Sequence, residues 1–219
     1  IVRLMRRAGE TVQTFGSSVP LSEEEWGLVE RPGGAWLARG GELIVPAGSL
    51  SLIGRHNALN ALAALALVSS VARIRQPVLD ALRAFTGLPH RMERLGEANG
   101  VMFVNDSKAT SVAATEVALA GIGRPVVLIA GDGKGQSFAP LKGAVDASCR
   151  AVLLIGRDAP DVARGLTGAK ATVESVGTLD AAVARALAVA RPGDVVLLSP
   201  ACASLDQFAN YEARGERFR

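Results

Sequence analysis

The sequence predicts an α/β protein whose larger part is a doubly wound, mostly parallel sheet. From residue 101 onward, short apolar runs (VMFV, VVLIA, VLLI, VVLL) alternate with longer segments of helical spacing. Strands that are apolar throughout are strands covered on both faces by crossover helices. Several runs break abruptly into polar loops, and open α/β sheets hold ligands beyond the carboxyl ends of their strands. Hydrophobic residues make up 49% of the 219 residues but aromatics only 4%. That balance suits layers of small aliphatic side chains, and the length allows one large domain or two small ones.

Taken in order, residues 1–53 read as β-rich and irregular. GETVQTFG reads as a strand and SEEEW as a polar turn; Gly27–Arg31, Ala35–Arg39 and Glu42–Pro46 read as short strands joined by PGG and GG turns. Gly54–Arg73 is a strong helix, with Leu59, Leu62, Leu65 and Ala66 at core spacing. A second helix, Pro77–Phe85, ends at Gly87, and Leu88-Pro89-His90-Arg91 reads as a linker between domains. Met92–Glu97 and Val101–Asn105 flank Asn99-Gly100, a signal for a tight hairpin. Helix Ser111–Gly121 follows, then strand Val126–Ala130, helix Phe138–Ala147, strand Val152–Ile155 and helix Ala159–Leu166. A weak strand Thr172–Ser175, helix Leu179–Ala190, strand Val195–Leu198 and a terminal helix in the Ser204–Arg217 region complete the alternation. Crossovers are expected to be right-handed.

Composition excludes several classes. A net charge of +3 with scattered basic residues gives no nucleic-acid footprint. Cys149 and Cys202 form no CxxC and accompany no histidine cluster, so structural zinc is not expected and reduced, buried thiols of a cytoplasmic protein are. The most apolar stretch, Ala58–Val71, is too short to span a membrane, and no signal peptide is visible. The chain starts at Ile1 without Met and is expected to be a piece of something longer.

Polar groups recur where strands end. After VMFV comes Asn105-Asp106-Ser107-Lys108-Ala109-Thr110; after VVLIA comes Gly131-Asp132-Gly133-Lys134-Gly135; after VVLLS comes Pro200-Ala201-Cys202-Ala203-Ser204. Lys108, Lys134, Thr110 and Ser204 could converge on one small anion, since lysines with hydroxyls suit carboxylates or phosphates. Each lysine also reads as an ordinary solvated loop cation, and Asp106 and Thr110 as plain caps of a βα loop. GDGKG lacks the GK[ST] ending of a phosphate loop, and its third glycine falls one position early for GxGxxG. Asn57 and Asn60 put two amides on one helix face near an N-terminus; an amide donates and accepts at once, as reading a purine edge requires, although a cap and a solvated polar residue would look the same. His56 and His90 are too few for a metal cluster and read as capping or packing residues. Ser204 has no histidine placed to activate it.

Together GRHNALNALAALAL, GLPHRME, NDSKATSVAATEVAL, GDGKGQSFAPL and LSPACASLDQFANYEARG resemble the Mur ligases of peptidoglycan synthesis, from about Gly54 to the end. NDSKAT stands where related ligases, and the folate polyglutamate ligases, carry a histidine-bearing DYAH-type sequence. The resemblance therefore implies the branch that joins D-glutamate to UDP-N-acetylmuramoyl-L-alanine. It implies ATP-dependent amide-bond formation through an acyl phosphate and a tetrahedral intermediate, with Mg2+, in a cytoplasmic monomer. By motif match, Asn57 and Asn60 would contact adenine, Arg91 and Asp106 the ribose and phosphate side, and Lys108 the anionic intermediate or the nucleotide sugar, making Lys108 and Asp106 the catalytic candidates. Thr110 and Lys134 would hold one carboxylate of D-glutamate; Ser204 and the backbone at Leu205 the other. Tyr211 stands where the family often has Phe.

On this resemblance, residues 1–87 are the remainder of the central ATP-binding domain and 88–219 a Rossmann-like amino-acid-binding domain. The phosphate loop, the metal ligands and the UDP-binding domain are expected ahead of this chain, and residues 1–219 alone are not expected to ligate. Three other readings stand beside it: a non-catalytic anion- or nucleotide-binding module, a sister ligase for another amino acid, and an NAD-dependent oxidoreductase.

Overall fold

The computed structural model describes residues 12–52, 54–131, 136–203 and 206–219. The chain divides into two compact units, Ile1–Thr86 and Gly87–Arg219.

The first unit is a small sheet with helices. Strands β1 (Thr14–Phe15), β2 (Glu25–Arg31), β3 (Gly34–Arg39) and β4 (Glu42–Pro46) lie in that order, β2 to β4 as an antiparallel meander. Of GETVQTFG, residues 9–11 lie outside the described residues and β1 takes only Thr14 and Phe15 of the rest, and SEEEW is not wholly a turn, because Trp26 already pairs with Arg39 and Glu25 with Thr14. Trp26 explains the shift: its ring is buried and its indole N–H donates to Gln13 Oε1 at 2.7 Å. Helix α1 (Arg55–Ser69) buries Ala58, Ala61, Leu62 and Leu65 against Trp26, Leu28, Leu37 and Val45, with Leu59 and Ala66 partly buried beside them. Helix α2 (Gln76–Ala84) has proline in its first turn, where no intrahelical N–H is lost.

The second unit carries the doubly wound sheet. Its elements are β5 (Glu93–Ala98), β6 (Val101–Asn105), α3 (Val112–Ile122), β7 (Val126–Gly131), α4 (Leu141–Ser148), β8 (Cys149–Ile155), α5 (Ala159–Gly165), β9 (Thr172–Gly177), α6 (Leu179–Val189), β10 (Val195–Leu198) and α7 (Tyr211–Phe218). The strand order is β5-β6-β10-β7-β8-β9, antiparallel only at the β5–β6 hairpin. Asn99 and Gly100 both have positive φ (52° and 76°), the conformation that a two-residue turn of matching twist needs.

Strands β7 and β10 are buried at every position. Side chains alternate between the two faces. Val127, Ile129, Leu153, Ile155, Val196 and Leu198 pack with Leu179, Ala182 and Ala186 of α6 and Phe218 of α7, while α3 and α4 pack against each other. The terminal helix starts at Tyr211 rather than near residue 204. Asn210 Oδ1 caps it by accepting from Ala213 N at 2.7 Å. Upstream, Asp206 accepts from Arg157 N (2.8 Å) and Gln207 donates to Gly177 O (2.7 Å), so these side chains bind neighbouring strand ends instead of starting a helix.

At its carboxyl end β7 packs tightly against β8. Gly131 has φ 154°, and a Cβ there would lie 1.7 Å from Ile155 O. Gly131→Ala is expected to destabilise the chain by about 3 kcal/mol through overpacking and strain; denaturant midpoints of the two proteins test this, and equal midpoints would contradict the packing described.

Candidate functional site

Sheet topology puts three of the polar loops on neighbours. β10 lies between β6 and β7, all parallel, with Leu198 in register with Asn105 on one side and Ile129 on the other. The described residues at these strand ends are bonded to one another. Asp106 N donates to Leu198 O (2.8 Å), Gly131 N to Pro200 O (3.1 Å) and Gln136 Nε2 to Ala201 O (2.6 Å). Ala201, wholly buried, takes a positive φ of 60°, a strained backbone for a residue with a Cβ.

Arg214 of α7 fixes this edge from below. It is buried, and its guanidinium donates to Ser107 Oγ (2.9 Å), Ser107 O (2.8 Å), Cys202 O (3.3 Å) and Ala203 O. Ser107 Oγ in turn donates to Tyr211 O at 2.8 Å. Next to Arg214, Gly215 leaves room for the ring of His90: a Cβ would meet His90 Nδ1 at 2.2 Å.

The segment before β5 is therefore more than a linker. His90 is buried; Asn105 Nδ2 donates to its Nδ1 at 3.0 Å and to Gly215 O at 3.2 Å. Lys108 N donates to His90 O (3.0 Å) and Met92 N to Asp106 Oδ1 (3.1 Å). His90 and Met92 both hold positive φ, 62° and 46°, kept there by these bonds. A sequence pattern carries no signal for this, since Leu-Pro-His-Arg has a loop composition whether or not it is buried.

Of the residues that the sequence singles out, Asp106, Lys108 and Tyr211 come together here. Lys108 Nζ sits 3.8 Å from the centroid of the Tyr211 ring, a cation–π contact. Asp106 Oδ2 accepts from Ser199 Oγ at 3.0 Å, and burial outweighs its hydrogen bonds and the Arg91 charge, raising its pKa to about 6. Arg91 is exposed, near enough for its charge to act on Asp106. Thr110 is half-buried and precedes the helix cap, which is Ser111, whose Oγ accepts from Ala114 N. Lys134, Ser204 and Leu205 lie outside the described residues. Sequence reading missed Ser199, Thr115 and Arg214, whose hydroxyls and guanidinium give no motif.

Asn57 and Asn60 belong to the other unit, in the first turns of α1, where Asn60 Nδ2 donates to Asn57 Oδ1 at 3.2 Å. Beside them His56 Nδ1 is buried with no hydrogen-bond partner among the described residues, and burial lowers the His56 pKa. An orphaned ring nitrogen next to two amides is a donor and acceptor set that fits a nucleobase. Among the described residues, no cluster of three His, Cys, Asp or Glu side chains is arranged to hold a metal ion. No helix there is long and apolar enough to cross a membrane. Cys202 is buried, but Cys149 only partly, with its thiol pushed up to about 12 by desolvation. A cavity of about 580 Å³ at the opposite sheet edge, lined by Arg124 and Arg150, is not a rival site. Both arginines are already bonded there, to Gly193 O, Asp194 O and the Asp194 carboxylate.

Comparison with known proteins gives one family. The sequence model described as "Mur ligase, glutamate ligase domain" matches residues 90–202. The UDP-N-acetylmuramoylalanine–D-glutamate ligase of Aromatoleum aromaticum is 52% identical over 99% of this chain and 47% of its own length. That of Nitrosospira multiformis is 46% identical over 100% of this chain and 46% of its own. The chain thus spans about half the length of these curated relatives. Two solved structures share the fold. One is the UDP-N-acetylmuramate–alanine ligase of Thermotoga maritima (TM-score 0.60, 19% identity, 84% of this chain and 41% of that one). The other is the folylpolyglutamate synthase of Mycobacterium tuberculosis complexed with ADP (TM-score 0.62, 18% identity, 88% and 47%).

The folded Asp106 carboxyl binds its proton more tightly than the unfolded one, with a pKa of about 6 against 3.8. Its contribution to stability is full below the unfolded value and is lost as pH rises through the folded one, about 3 kcal/mol for a shift of this size. Asp106→Asn keeps the bonds to Met92 and Ser199 without the titration. Urea midpoints at about pH 4 and pH 7 are expected to show a smaller loss of stability for the variant than for the wild type. An unchanged or steeper loss would contradict the shift.

Proposed function

The chain belongs to the Mur ligase family, and on that premise we propose that it is part of an enzyme joining D-glutamate to UDP-N-acetylmuramoyl-L-alanine at the expense of ATP. The observation that carries the reading is that β6, β10 and β7 are adjacent, parallel and end at one edge, where Asp106, Lys108 and Tyr211 come together. The names of relatives at 46–52% identity support the substrate assignment.

In this reading residues 1–87 contribute to nucleotide binding and 88–219 hold the amino acid. D-Glutamate has two carboxylates, so its site needs two anion clamps at a fixed separation. Thr110 and Lys134 form one, Ser204 and the Leu205 backbone the other, and Tyr211 walls the pocket. Asn57 and Asn60 read the adenine edge, while Arg91 and Asp106 face ribose and phosphate. ATP, accompanied by Mg2+, supplies the phosphoryl group that activates the muramoyl-alanine carboxylate. The chain's own residues hold the amine on line for attack, and Lys108 offsets negative charge at the reacting centre. Orientation of this kind is worth up to about 7–11 kcal/mol of barrier, and a preformed cation adds to it without reorganisation. In this reading the enzyme acts as a monomer in the cytoplasm.

Phosphate release by the full-length protein, with ATP, Mg2+, UDP-N-acetylmuramoyl-L-alanine and each candidate amino acid in turn, tests the function. Release only with D-glutamate is the expected result. Release with a different amino acid would make it a sister ligase, and none with any from folded protein would leave a binding module.

Lys134→Ala is expected to raise KM for D-glutamate by tenfold or more, about the loss of one charged hydrogen bond, with KM for ATP little changed. A rise in KM for ATP instead would remove Lys134 from the amino-acid clamp.

A further inference from the structure

Beneath Asp106 lie two hydroxyls that the function above does not use. Ser199, immediately after β10, and Thr115, in the first turns of α3, are both wholly buried, and Asp106 is 7% exposed. Ser199 Oγ lies 3.0 Å from Asp106 Oδ2 and 3.0 Å from Thr115 Oγ1, and Thr115 Oγ1 lies 3.1 Å from Ser199 O. Ser199 and Thr115 are closed to solvent, so their hydrogens are shared within this group.

Counting hydrogens gives two arrangements. With Asp106 protonated, its carboxyl donates to Ser199, Ser199 donates to Thr115, and Thr115 donates to the Ser199 carbonyl; every contact has its hydrogen. With Asp106 ionised, Ser199 must turn its hydrogen to the carboxylate. Thr115 then has one hydrogen for two acceptors, and one contact loses its bond.

We propose that Ser199 and Thr115 are positioning residues for Asp106, a buried relay in which the single Ser199 hydrogen is contested between the Asp106 carboxylate and the Thr115 hydroxyl. The proposal rests on the reading of Asp106 as a nucleotide-side group only for its kinetic consequence; the relay itself stands on the geometry. Other groups bear on the same carboxylate. Arg91, from the segment before β5, favours the ionised form, as does the N–H of Met92. Lys108 follows two positions on, and His90, Glu93 and Arg214 belong to the bonded network around the same loop. From β10 and α3 the groups that hydrogen-bond around the carboxylate are these two hydroxyls.

The relay makes the two hydroxyls act in opposite directions. Thr115→Val releases the Ser199 hydrogen to Asp106 and favours the carboxylate; Ser199→Ala removes the donor and favours the acid. A carboxyl 13C titration of the full-length protein, with the Asp106 resonance assigned through Asp106→Asn, reads this without any activity. The midpoint is expected to fall in Thr115→Val and rise in Ser199→Ala, each by about one unit, and to return to the wild-type value in Thr115→Ser. Shifts of the same sign, or none in folded variants, would overturn the relay. The acidic limb of kcat/KM for ATP is expected to move with the NMR midpoint while KM for D-glutamate stays constant. Opposite NMR shifts with an unmoved ATP profile would uphold the relay and overturn the nucleotide role of Asp106.

Discussion

The guanidinium of Arg214 is the constraint on which this edge of the molecule depends. Beyond Asn105 and Leu198 the ladder between β6 and β10 ends, and nothing in sheet geometry dictates where their loops go. A buried guanidinium removed from water requires acceptors, and it presents them with a rigid planar fork. Here the acceptors are Ser107 on one loop and Cys202 and Ala203 on the other, so satisfying the cation fixes the separation of the loops. Helix α7 is pinned in the same act. Its Gly215 then meets the ring of His90, which only a residue without a side chain permits.

From that contact the order spreads along the chain. His90 receives the N–H of Lys108, and Met92 donates to Asp106, so the strand-end loop and the segment leading into β5 hold each other in shape. The strained positions His90, Met92 and Ala201 all lie here. Strain of this kind costs on the order of 1–3 kcal/mol per residue. It persists because β7 and β10, buried throughout, anchor the loops on a sheet that has no freedom to relax.

The sequence carried the alternation of strands and helices because period and composition are local. It carried the Asn99-Gly100 turn because only a few residues accept positive φ in succession. It did not carry the insertion of β10 between β6 and β7, since strand order is decided by pairing over long separations. It misplaced the start of α7, because Asp206 and Gln207 have a composition compatible with a helix and are claimed instead by Arg157 and Gly177. In the site, Asp106 and Lys108 were legible as charged residues at a strand end, and Tyr211 only through the family resemblance. Ser199 and Thr115 were not, because a hydroxyl inside an apolar segment looks like filler until its partner is seen.

Charge at this edge is arranged asymmetrically. Lys108 lies over the Tyr211 ring, partly exposed, where its field reaches solvent. The carboxyl two residues earlier is buried, with a pKa of about 6. A carboxylate this close to a lysine would ordinarily cancel much of its attraction for an anion. Burial weakens that cancellation, because an anion arriving nearby raises the pKa of Asp106 further. The carboxylate then takes up a proton instead of repelling the ligand. Anion binding and protonation are thereby linked, and the hydroxyls of Ser199 and Thr115 supply the bonding arrangement that the neutral acid needs. In the proposed reading, the edge would thus hold a carboxyl group in its interior without repelling an anionic ligand at its surface.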